Sequence, residues 1–302
     1  MPDTSSRGPW LVLLAAILWG TTGTAQAFAP AGAQPIAIGA VRLAVGGVAL
    51  LLLALARRAF HRGRWPAVAL LLAVGGMAAY QVTFFTGVAR TGVAVGTIAG
   101  IGSAPIWGGI IGYLVRRERP GWRWAAATTL AILGCGLLIT AGESIQVDPL
   151  GVVLAMGAGL SYATYVAANK RLLEIHAPEA VMAVVFCLGA IVLAPLLLFA
   201  DLRWLLQPRG ILVALHLGLI TVAVGYTLFA RGLRTVPIST TVSLTLAEPL
   251  TAGLLGVLVL GERLTLLAGL GIGLLFSGLA VLTLAGGAGG RKPAGPAGGR
   301  GT

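Results

Sequence analysis

Residues 236–260 read VPISTTVSLTLAEPLTAGLLGVLVL, and they are the most informative segment of the chain for its architecture. It is long and apolar enough to cross a bilayer as one helix. Its one acidic residue, Glu248, stands halfway along it. A charge at that depth is costly unless it faces a bundle interior or a wet cavity. Pro249 beside it removes a backbone donor and predicts a kinked helix. The stretch therefore indicates a helical bundle in a membrane that encloses a polar site near its middle.

The same pattern occurs 144 positions earlier in the chain. At this offset, and without a gap, Pro105 falls on Pro249 and Phe85 falls on Phe229. Further matched pairs are Arg90 and Arg234, Thr97 and Thr241, Glu118 and Glu262, and Arg119 and Arg263. Coincident Pro, Phe, Glu and Arg are harder to obtain by chance than the Gly and Leu matches of a biased composition. The chain is therefore predicted to contain an internal repeat.

Composition places the whole chain in a bilayer. Of 302 residues, 57% are hydrophobic and 10% are charged, which lies outside the range of soluble domains. Apolar blocks bounded by charge or proline predict ten spans, near 10–28, 36–56, 66–88, 91–115, 122–141, 150–169, 179–199, 211–230, 236–260 and 264–284. The predicted fold class is an all-α integral membrane protein of ten transmembrane helices. The first five-helix repeat is 10–141 and the second is 150–284.

The odd number of spans in each repeat inverts the second copy relative to the first. Orientation follows from the basic residues. With the N-terminus inside, sixteen Lys and Arg residues fall on the inner side and four fall in outer loops. This imbalance predicts that both termini are cytoplasmic. Segment 1–9 is then a cytoplasmic N-terminus, and 285–302, poor in apolar bulk, is predicted to be a disordered cytoplasmic tail.

Charge, cysteine and histidine usage exclude several classes of protein. The net charge of +12 follows the membrane-orientation pattern and predicts no nucleic-acid partner. Cys135 and Cys187 lie inside apolar segments and indicate packing. His61 and His176 fall in predicted loops, and His216 stands alone near the outer part of the eighth span, with no Asp, Glu or Cys at ligand spacing. We therefore expect no metal, no cofactor and no enzyme activity. The expected partners are the lipid bilayer and a small-molecule substrate, bound by a monomer or weak homodimer.

Aromatic and small polar side chains near the middle of their spans are the candidate substrate-binding residues. Such a mixed lining suits a neutral or zwitterionic organic solute. Helical spacing places Trp19 and Thr22 on one face of the first span. Tyr162 and Tyr165 share a face of the sixth span in the same way. The candidate residues are Trp19, Thr22, Tyr80, Phe84, Ser103, Trp107, Tyr162, Tyr165, Thr245 and Glu248. Core packing is the alternative for each single aromatic residue.

Two charged residues inside spans each have two interpretations. Glu248 either faces a substrate cavity or is a protonated acid that bonds to a carbonyl of a neighbouring helix. Arg42, about two turns into the second span, either attracts a substrate carboxylate or bonds nearby carbonyls. The residue pattern leaves both alternatives open.

These features together resemble the drug/metabolite transporter superfamily, in its EamA-type branch of ten helices and two five-helix repeats. The resemblance rests on Leu18, Trp19, Gly20, Arg42, and a proline thirteen residues before a glutamate in spans four and nine. Ala104 stands where the second copy has Glu248, so the pattern departs from a symmetric pair of carboxylates. Among the branches of the family, the aromatic amino acid exporters of the YddG type are the nearest.

The resemblance implies a secondary transporter in a bacterial inner membrane that exports small organic solutes by alternating access. Amino acids, aromatic or otherwise neutral, and related metabolites are the expected substrates. A proton-coupled exporter of cationic drugs is an alternative, because one intramembrane carboxylate can exchange a proton for a cation. A nucleotide-sugar or sugar-phosphate exchanger is a further alternative, although doubly charged substrates favour several buried basic residues.

Overall fold

The computed structural model describes residues 7–61, 63–91, 93–140, 148–198, 200–261 and 265–288, which form ten helical rods. The first half contains α1 (Gly8–Ala27), α2 (Pro35–Ala56), α3 (Ala67–Thr91), α4 (Val93–Arg116) and α5 (Trp122–Thr140). The second half contains α6 (Pro149–Leu172), α7 (Pro178–Leu197), α8 (Pro208–Leu233), α9 (Ile238–Leu260) and α10 (Leu266–Ala288). A short 3-10 helix, Arg203–Leu206, precedes α8.

Eight of these rods, α1 to α4 and α6 to α9, are long and apolar enough to cross a membrane. The other two, α5 and α10, pack extensively against each other. The all-helical membrane fold is confirmed. Residues 285–288 of the predicted tail belong to α10, because no proline or charged residue ends the helix there. The rest of that tail, 289–302, and the repeat residues Glu262 and Arg263 lie outside the described residues.

The packing of the rods follows a two-fold pattern that exchanges each helix with the one five places later. The α3 helix packs on α6 as α8 packs on α1, and α4 packs on α6 as α9 packs on α1. The pairs α2 and α7, α4 and α9, and α5 and α10 meet across the axis. Because each half has five rods, the axis lies in the membrane plane, as in other inverted-repeat bundles. The side of the membrane that holds the termini stays a prediction.

Local chemistry explains where the helices start and stop. Proline stands in the first turn of α1, α2, α6 and α8, where the missing N–H has no intrahelical partner to lose. The Asp148 carboxylate caps α6 by accepting hydrogen bonds from the backbone N–H groups of Leu150 (2.9 Å) and Gly151 (3.2 Å). Gly261 follows α9 with a φ of 73°, a left-handed conformation that favours glycine at a helix end.

The α8 rod changes its winding halfway across the bundle. Its central segment, His216–Val224, is π-helical and lies between two α-helical parts. The wider turn leaves backbone carbonyls available to other donors. The indole Nε1 of Trp19 donates to the carbonyl of Thr221 in this segment at 3.0 Å. The middle of α1 is therefore held against the middle of α8.

The α9 rod is broken at Thr245 and Leu246, between its two α-helical parts. Pro249 has no N–H to donate to the Thr245 carbonyl, which accepts instead from the backbone N–H of Glu248 at 2.9 Å. An interruption therefore precedes Pro249, as the sequence predicts, whereas α4 continues unbroken past Pro105, the proline at the matching position. The interruption places Glu248 in the first turn of the second part of α9.

Candidate functional site

A central cavity of about 70 Å³ lies where helices of both halves meet. Seven of the ten predicted residues line it: Trp19, Thr22, Tyr80, Tyr162, Tyr165, Thr245 and Glu248. The other lining residues are Arg42, Gly76, Met77, Gly100, Ile101, Ala104, Gly159 and Tyr226. A cavity between the two repeats is where inverted-repeat transporters hold their solute. Solute binding by these residues stays a prediction.

Three predicted residues lie outside the cavity lining. Phe84 stacks on the ring of Tyr80, with centroids 5.4 Å apart and planes at 13°, and so supports a lining residue from behind. The Ser103 hydroxyl turns back on its own helix and donates to the Gly100 carbonyl at 3.2 Å. Trp107 lies nearly one turn of α4 past Ala104, the last α4 residue of the lining. Phe84 and Trp107 each lie three or four residues past a lining residue of their own helix, so position near the middle of a span did not reveal how far the cavity extends along that helix.

Aromatic rings form a continuous wall around the cavity. The rings of Trp19 and Tyr226 have centroids 4.5 Å apart. On the other side, Tyr80 lies 6.0 Å from Tyr162, which lies 6.1 Å from Tyr165. The Tyr165 and Tyr226 rings meet edge to face at 6.4 Å and join the two groups. These separations are typical of favourable aromatic pairs, so the wall is pre-shaped for the apolar part of a solute.

Backbone forms the rest of the lining where glycines bring helices together. A Cβ on Gly159 of α6 would lie 2.7 Å from the Gly100 carbonyl oxygen of α4. A Cβ on Gly76 of α3 would lie 2.9 Å from the Ser161 carbonyl oxygen of α6. Real side chains do not fit at these distances, so small residues permit the close approach of these helices. They also leave room for the cavity.

Arg42 and Glu248 bring opposite charges to the same cavity, from α2 and α9. Among the described residues, the ion pairs do not include one between these two side chains. The Nε atom of Arg42 is buried and has no hydrogen-bond partner in the described part of the chain. The Thr245 hydroxyl donates to the Val242 carbonyl at 2.7 Å, which leaves its oxygen as an acceptor beside Glu248. The cavity therefore offers a guanidinium donor and carboxylate and hydroxyl acceptors.

Tyr226 and Arg42 line the cavity but were not among the predicted site residues. Tyr226 lies about three-quarters of the way along α8, past its central π-helical segment, so a search for mid-span aromatic residues did not identify it. Arg42 was recognised as an intramembrane charge, yet depth alone does not distinguish a structural bond from a cavity position. The lining glycines carry no side-chain signal, because their contribution is the absence of a Cβ.

At the end of the bundle that is predicted to be cytoplasmic, a carboxylate of the first half binds the N-terminus of a helix of the second half. Glu118 follows α4 and accepts hydrogen bonds from the backbone N–H groups of Ile238 (2.9 Å) and Ser239 (3.2 Å). The Ser239 hydroxyl lies 3.4 Å from the same carboxylate. A carboxylate at a helix N-terminus satisfies free donors and the helix dipole together. We call this set, Glu118 with Ile238 and Ser239, the Glu118 latch.

Further contacts between the halves lie at the same end. Arg116 is paired with Glu174, and Arg57 lies 3.7 Å from Glu179. The rings of Trp65 and His176 stack, with centroids 3.9 Å apart. At the opposite end, the ion pairs of the described residues include one between the halves, from Arg90 to Asp148 at 3.1 Å. The structure is thus held together more extensively at its predicted cytoplasmic end.

The chemistry of the cavity is that of its side chains. In the described ranges of the chain, no group of three or more His, Cys, Asp or Glu residues is placed to hold a metal ion. Glu248 is the acidic residue of the lining and Arg42 the basic one. These groups can bind and orient a solute. Glu248 lies next to the break in α9.

An inverted pair of five-helix bundles around an amphipathic central cavity defines a multi-pass membrane transporter. The chain belongs to the EamA-like transporter family, whose profile matches residues 6–140 and 149–284. The predicted resemblance to the EamA branch of the drug/metabolite transporters is therefore confirmed. The two matches fall on the two halves that the 144-residue offset identified.

Several known proteins are similar to the chain. It is 47% identical over 274 residues to the "Uncharacterized transporter YwfM" of Bacillus subtilis, covering 91% of this chain and 93% of that protein. It is 24% identical to the inner membrane transporter YicL of Salmonella typhimurium, over 93% of this chain and 96% of that protein. It is 32% identical over 141 residues to the threonine/homoserine exporter RhtA of Escherichia coli, 45% of this chain and 46% of that protein.

A solved crystal structure shares the fold. It superimposes with a TM-score of 0.81 at 21% sequence identity, over 93% of this chain and 97% of that chain. At this identity the likeness concerns the arrangement of the helices alone.

Proposed function

We propose that this protein exports small neutral α-amino acids, of the size of threonine and homoserine, across a bacterial inner membrane by alternating access. The observation that carries the proposal is the presence of Arg42 and Glu248 on one small aromatic cavity without an ion pair between them. Two unpaired opposite charges at bilayer depth are costly, so a ligand that pairs both is favoured.

An α-amino acid matches these two groups. Its carboxylate accepts two parallel hydrogen bonds from the Arg42 guanidinium, the geometry in which arginine binds carboxylates best. Its ammonium group donates to the Glu248 carboxylate and to the Thr245 hydroxyl oxygen. The complex has no net charge, and its side chain lies against the aromatic wall. A cation would leave Arg42 unpaired, and an anion would leave Glu248 unpaired.

The volume of the cavity favours a small side chain. An engineered apolar cavity of about 150 Å³ holds a benzene molecule. The cavity here is about half that size, at about 70 Å³. Threonine has eight non-hydrogen atoms and benzene has six, so even threonine requires a wider cavity than this conformation provides. An indole or phenol side chain requires a much larger widening than a hydroxyethyl side chain does. The export of threonine and homoserine by the distant relative RhtA agrees with this size.

The two halves supply the transport cycle. In the conformation described, the Glu118 latch and the ion pairs close the predicted cytoplasmic end. Release of the latch would let the halves rock apart at that end and admit solute from the cytoplasm. The lining residues of the cavity come from both halves of the chain, so a single chain can form the whole site.

Flux measurements in proteoliposomes test the proposal. Labelled threonine is compared with 1-amino-2-propanol, which lacks the carboxylate, with 3-hydroxybutyrate, which lacks the amine, and with tryptophan. A charged hydrogen bond contributes about 1.5–3 kcal/mol, so Arg42→Gln should weaken threonine binding roughly ten- to hundredfold. Arg42→Gln should leave the weak binding of 1-amino-2-propanol unchanged, because that compound has no carboxylate. Glu248→Gln should weaken threonine binding to a similar extent and leave the weak binding of 3-hydroxybutyrate, which has no amine, unchanged. Arg64→Gln and Asp201→Asn are the charge-matched controls, because each removes one charge that lies away from the cavity and from the contacts between the halves.

A cationic-drug exporter coupled to protons is the second candidate, because Glu248 lies on the cavity. It predicts that a pH gradient drives flux of a cationic dye and that Glu248→Gln abolishes this flux. Dye flux of this kind, together with threonine flux that is absent or insensitive to Arg42→Gln, would overturn the amino acid proposal. A doubly charged phosphate substrate is not favoured, since Arg42 is the one basic residue of the lining.

A further inference from the structure

A second depression lies on the surface of the bundle, where α4 ends and α5 begins. It has a volume of about 520 Å³. Its lining is almost wholly apolar and aromatic: Ile106, Gly109, Ile110, Tyr113, Leu114, Pro120, Gly121, Trp122, Trp124 and Ala125. Trp122 is 77% exposed and Leu114 is 66% exposed, so the groove opens on the lipid-facing surface. We call it the α4–α5 groove.

The groove runs from the membrane interface into the hydrocarbon. The loop 117–121 and Trp122 form its upper rim, and tryptophan favours the headgroup level. From there it follows α4 from Leu114 back to Ile106, which is about 12 Å of helix. An apolar channel of this length, open along its side to the bilayer, has the shape of an acyl chain rather than of a compact solute.

Arginines surround the rim of the groove. Arg117 and Arg119 lie in the loop whose Pro120 and Gly121 belong to the lining, and Arg123 lies over the Trp122 ring, with Cζ 5.8 Å from its centroid. All three arginines are exposed. Over the described ranges, the ion pairs include none of them. The rim therefore presents three free positive charges beside the N-terminus of α5, which also favours an anion.

We propose that the α4–α5 groove is a binding site for an anionic phospholipid. The phosphate of the headgroup pairs with Arg119 and Arg123, and one acyl chain lies along α4 between Leu114 and Ile106. Basic pockets between transmembrane helices on the cytoplasmic side bind anionic headgroups in this way. A zwitterionic lipid gains the apolar contacts but little from the charges, so the site selects lipids by headgroup.

The site adjoins the device that holds the two halves together. Glu118, which binds the start of α9, belongs to the same short loop as Arg117 and Arg119. A lipid that orders this loop therefore also orders Glu118, the residue that the first half contributes to the Glu118 latch. The binding test itself does not depend on which solute the protein transports.

Native mass spectrometry of the purified full-length chain measures the binding. The protein is titrated at low ionic strength with phosphatidylglycerol and with phosphatidylcholine of the same acyl chains. Each basic residue near an anionic lipid contributes roughly fivefold to affinity. The double variant Arg119→Gln/Arg123→Gln should therefore bind phosphatidylglycerol about thirtyfold more weakly and phosphatidylcholine unchanged. The matched control Arg58→Gln/Arg64→Gln, which removes two exposed arginines from the α2–α3 loop, should leave both affinities unchanged.

A groove-filling variant tests the apolar half of the site. Ala125 is exposed in the lining, so Ala125→Trp fills the groove without removing a charge. It should reduce the binding of both lipids. Inorganic phosphate at equal concentration should not displace phosphatidylglycerol, because it cannot use the groove.

Three results would overturn the proposal. One is that the wild type binds the two lipids with equal affinity, or that the two double variants lose equal affinity for phosphatidylglycerol. Either result would mean that the lipid is attracted diffusely by surface charge. Another is displacement by inorganic phosphate, which would mean a simple anion site. The third is a dimer that Ala125→Trp dissociates while lipid binding is unchanged, which would assign the groove to a second copy of the chain.

Discussion

Replacing Glu118 by glutamine should shift the protein towards a conformation that is open at its predicted cytoplasmic end. The Glu118 carboxylate accepts hydrogen bonds from the first backbone N–H groups of α9, at 2.9 Å from Ile238 and 3.2 Å from Ser239. These bonds join the two halves, so they exist only while the end is closed. Whatever they contribute therefore stabilises the closed conformation over the open one.

The size of the effect follows from the geometry. A hydrogen bond to a charged group contributes about 1.5–3 kcal/mol, and a carboxylate at a helix N-terminus adds about 0.3–1 kcal/mol. Glutamine keeps one oxygen acceptor and so preserves one weaker bond, and Glu118 is only half-buried. The net loss is then about 2 kcal/mol. This changes the ratio of open to closed molecules by roughly thirtyfold.

Double electron–electron resonance measures that ratio directly. Spin labels are placed at Gly121→Cys in the first half and Arg234→Cys in the second, in a Cys135→Ala/Cys187→Ser background. A Cβ at Gly121 has no atom within 4 Å, and Arg234 is exposed, so both sites tolerate labels. The longer-distance population should grow about thirtyfold relative to the shorter one in Glu118→Gln.

Glu174→Gln is the matched control, because it removes one carboxylate at the same end of the bundle. The hydrogen bond from Arg116 lowers the pKa of the Glu174 carboxyl, which is therefore charged at neutral pH. Its pair with Arg116 is about one-third exposed, and exposed ion pairs contribute about 0–1 kcal/mol. Its effect should not exceed about fivefold. Unchanged distances in Glu118→Gln, or equal shifts in both variants, would refute the role of the latch.

Two further predictions concern stability, measured as the thermal midpoint in detergent. Gly20→Ala should destabilise the protein by about 1–3 kcal/mol, because its Cβ would lie 2.7 Å from the Glu248 carbonyl oxygen. Gly23→Ala is its control, because a Cβ at Gly23 would have no atom within 4 Å. Equal thermal midpoints of the two variants would contradict the close contact of α1 and α9. Lys170→Met should cost about 1.5–3 kcal/mol, because the buried Nζ donates to the carbonyls of Leu233 (3.0 Å) and Val236. Arg171→Met, which removes a mostly exposed charge, should cost less than 1 kcal/mol, and a midpoint of Lys170→Met no lower than this would contradict a structural role.

Prediction of the fold from the sequence succeeded where the cause is local. An apolar run such as 236–260 must cross the bilayer, because lipid cannot solvate free backbone groups. The interruption beside Glu248 was anticipated from Pro249, but Pro105 lies inside the unbroken α4, so the packing around a proline also matters. The disordered tail stays a prediction, and α10 runs to Ala288.

Prediction of the site was partial for a different reason. Depth in a span identified Trp19, Tyr80 and Glu248, which line the cavity. The same criterion selected Trp107, which lies nearly one turn of α4 beyond the lining residue Ala104, because mid-span depth does not fix where the cavity ends along a helix. Tyr226 lines the cavity from a position nearer the end of its span, so the criterion missed it.

Run length, charge and an odd number of spans per half can be read residue by residue, so the amino-acid chain predicts the membrane as solvent, ten rods and an inverted second half. The shared chamber of Arg42 and Glu248, and the reach of Glu118 to the first turn of α9, depend on the three-dimensional packing. Each of these contacts joins residues more than a hundred positions apart. Their meeting depends on how ten helices rotate and tilt against one another, and in a bilayer close packing sets those angles more than hydrophobicity does.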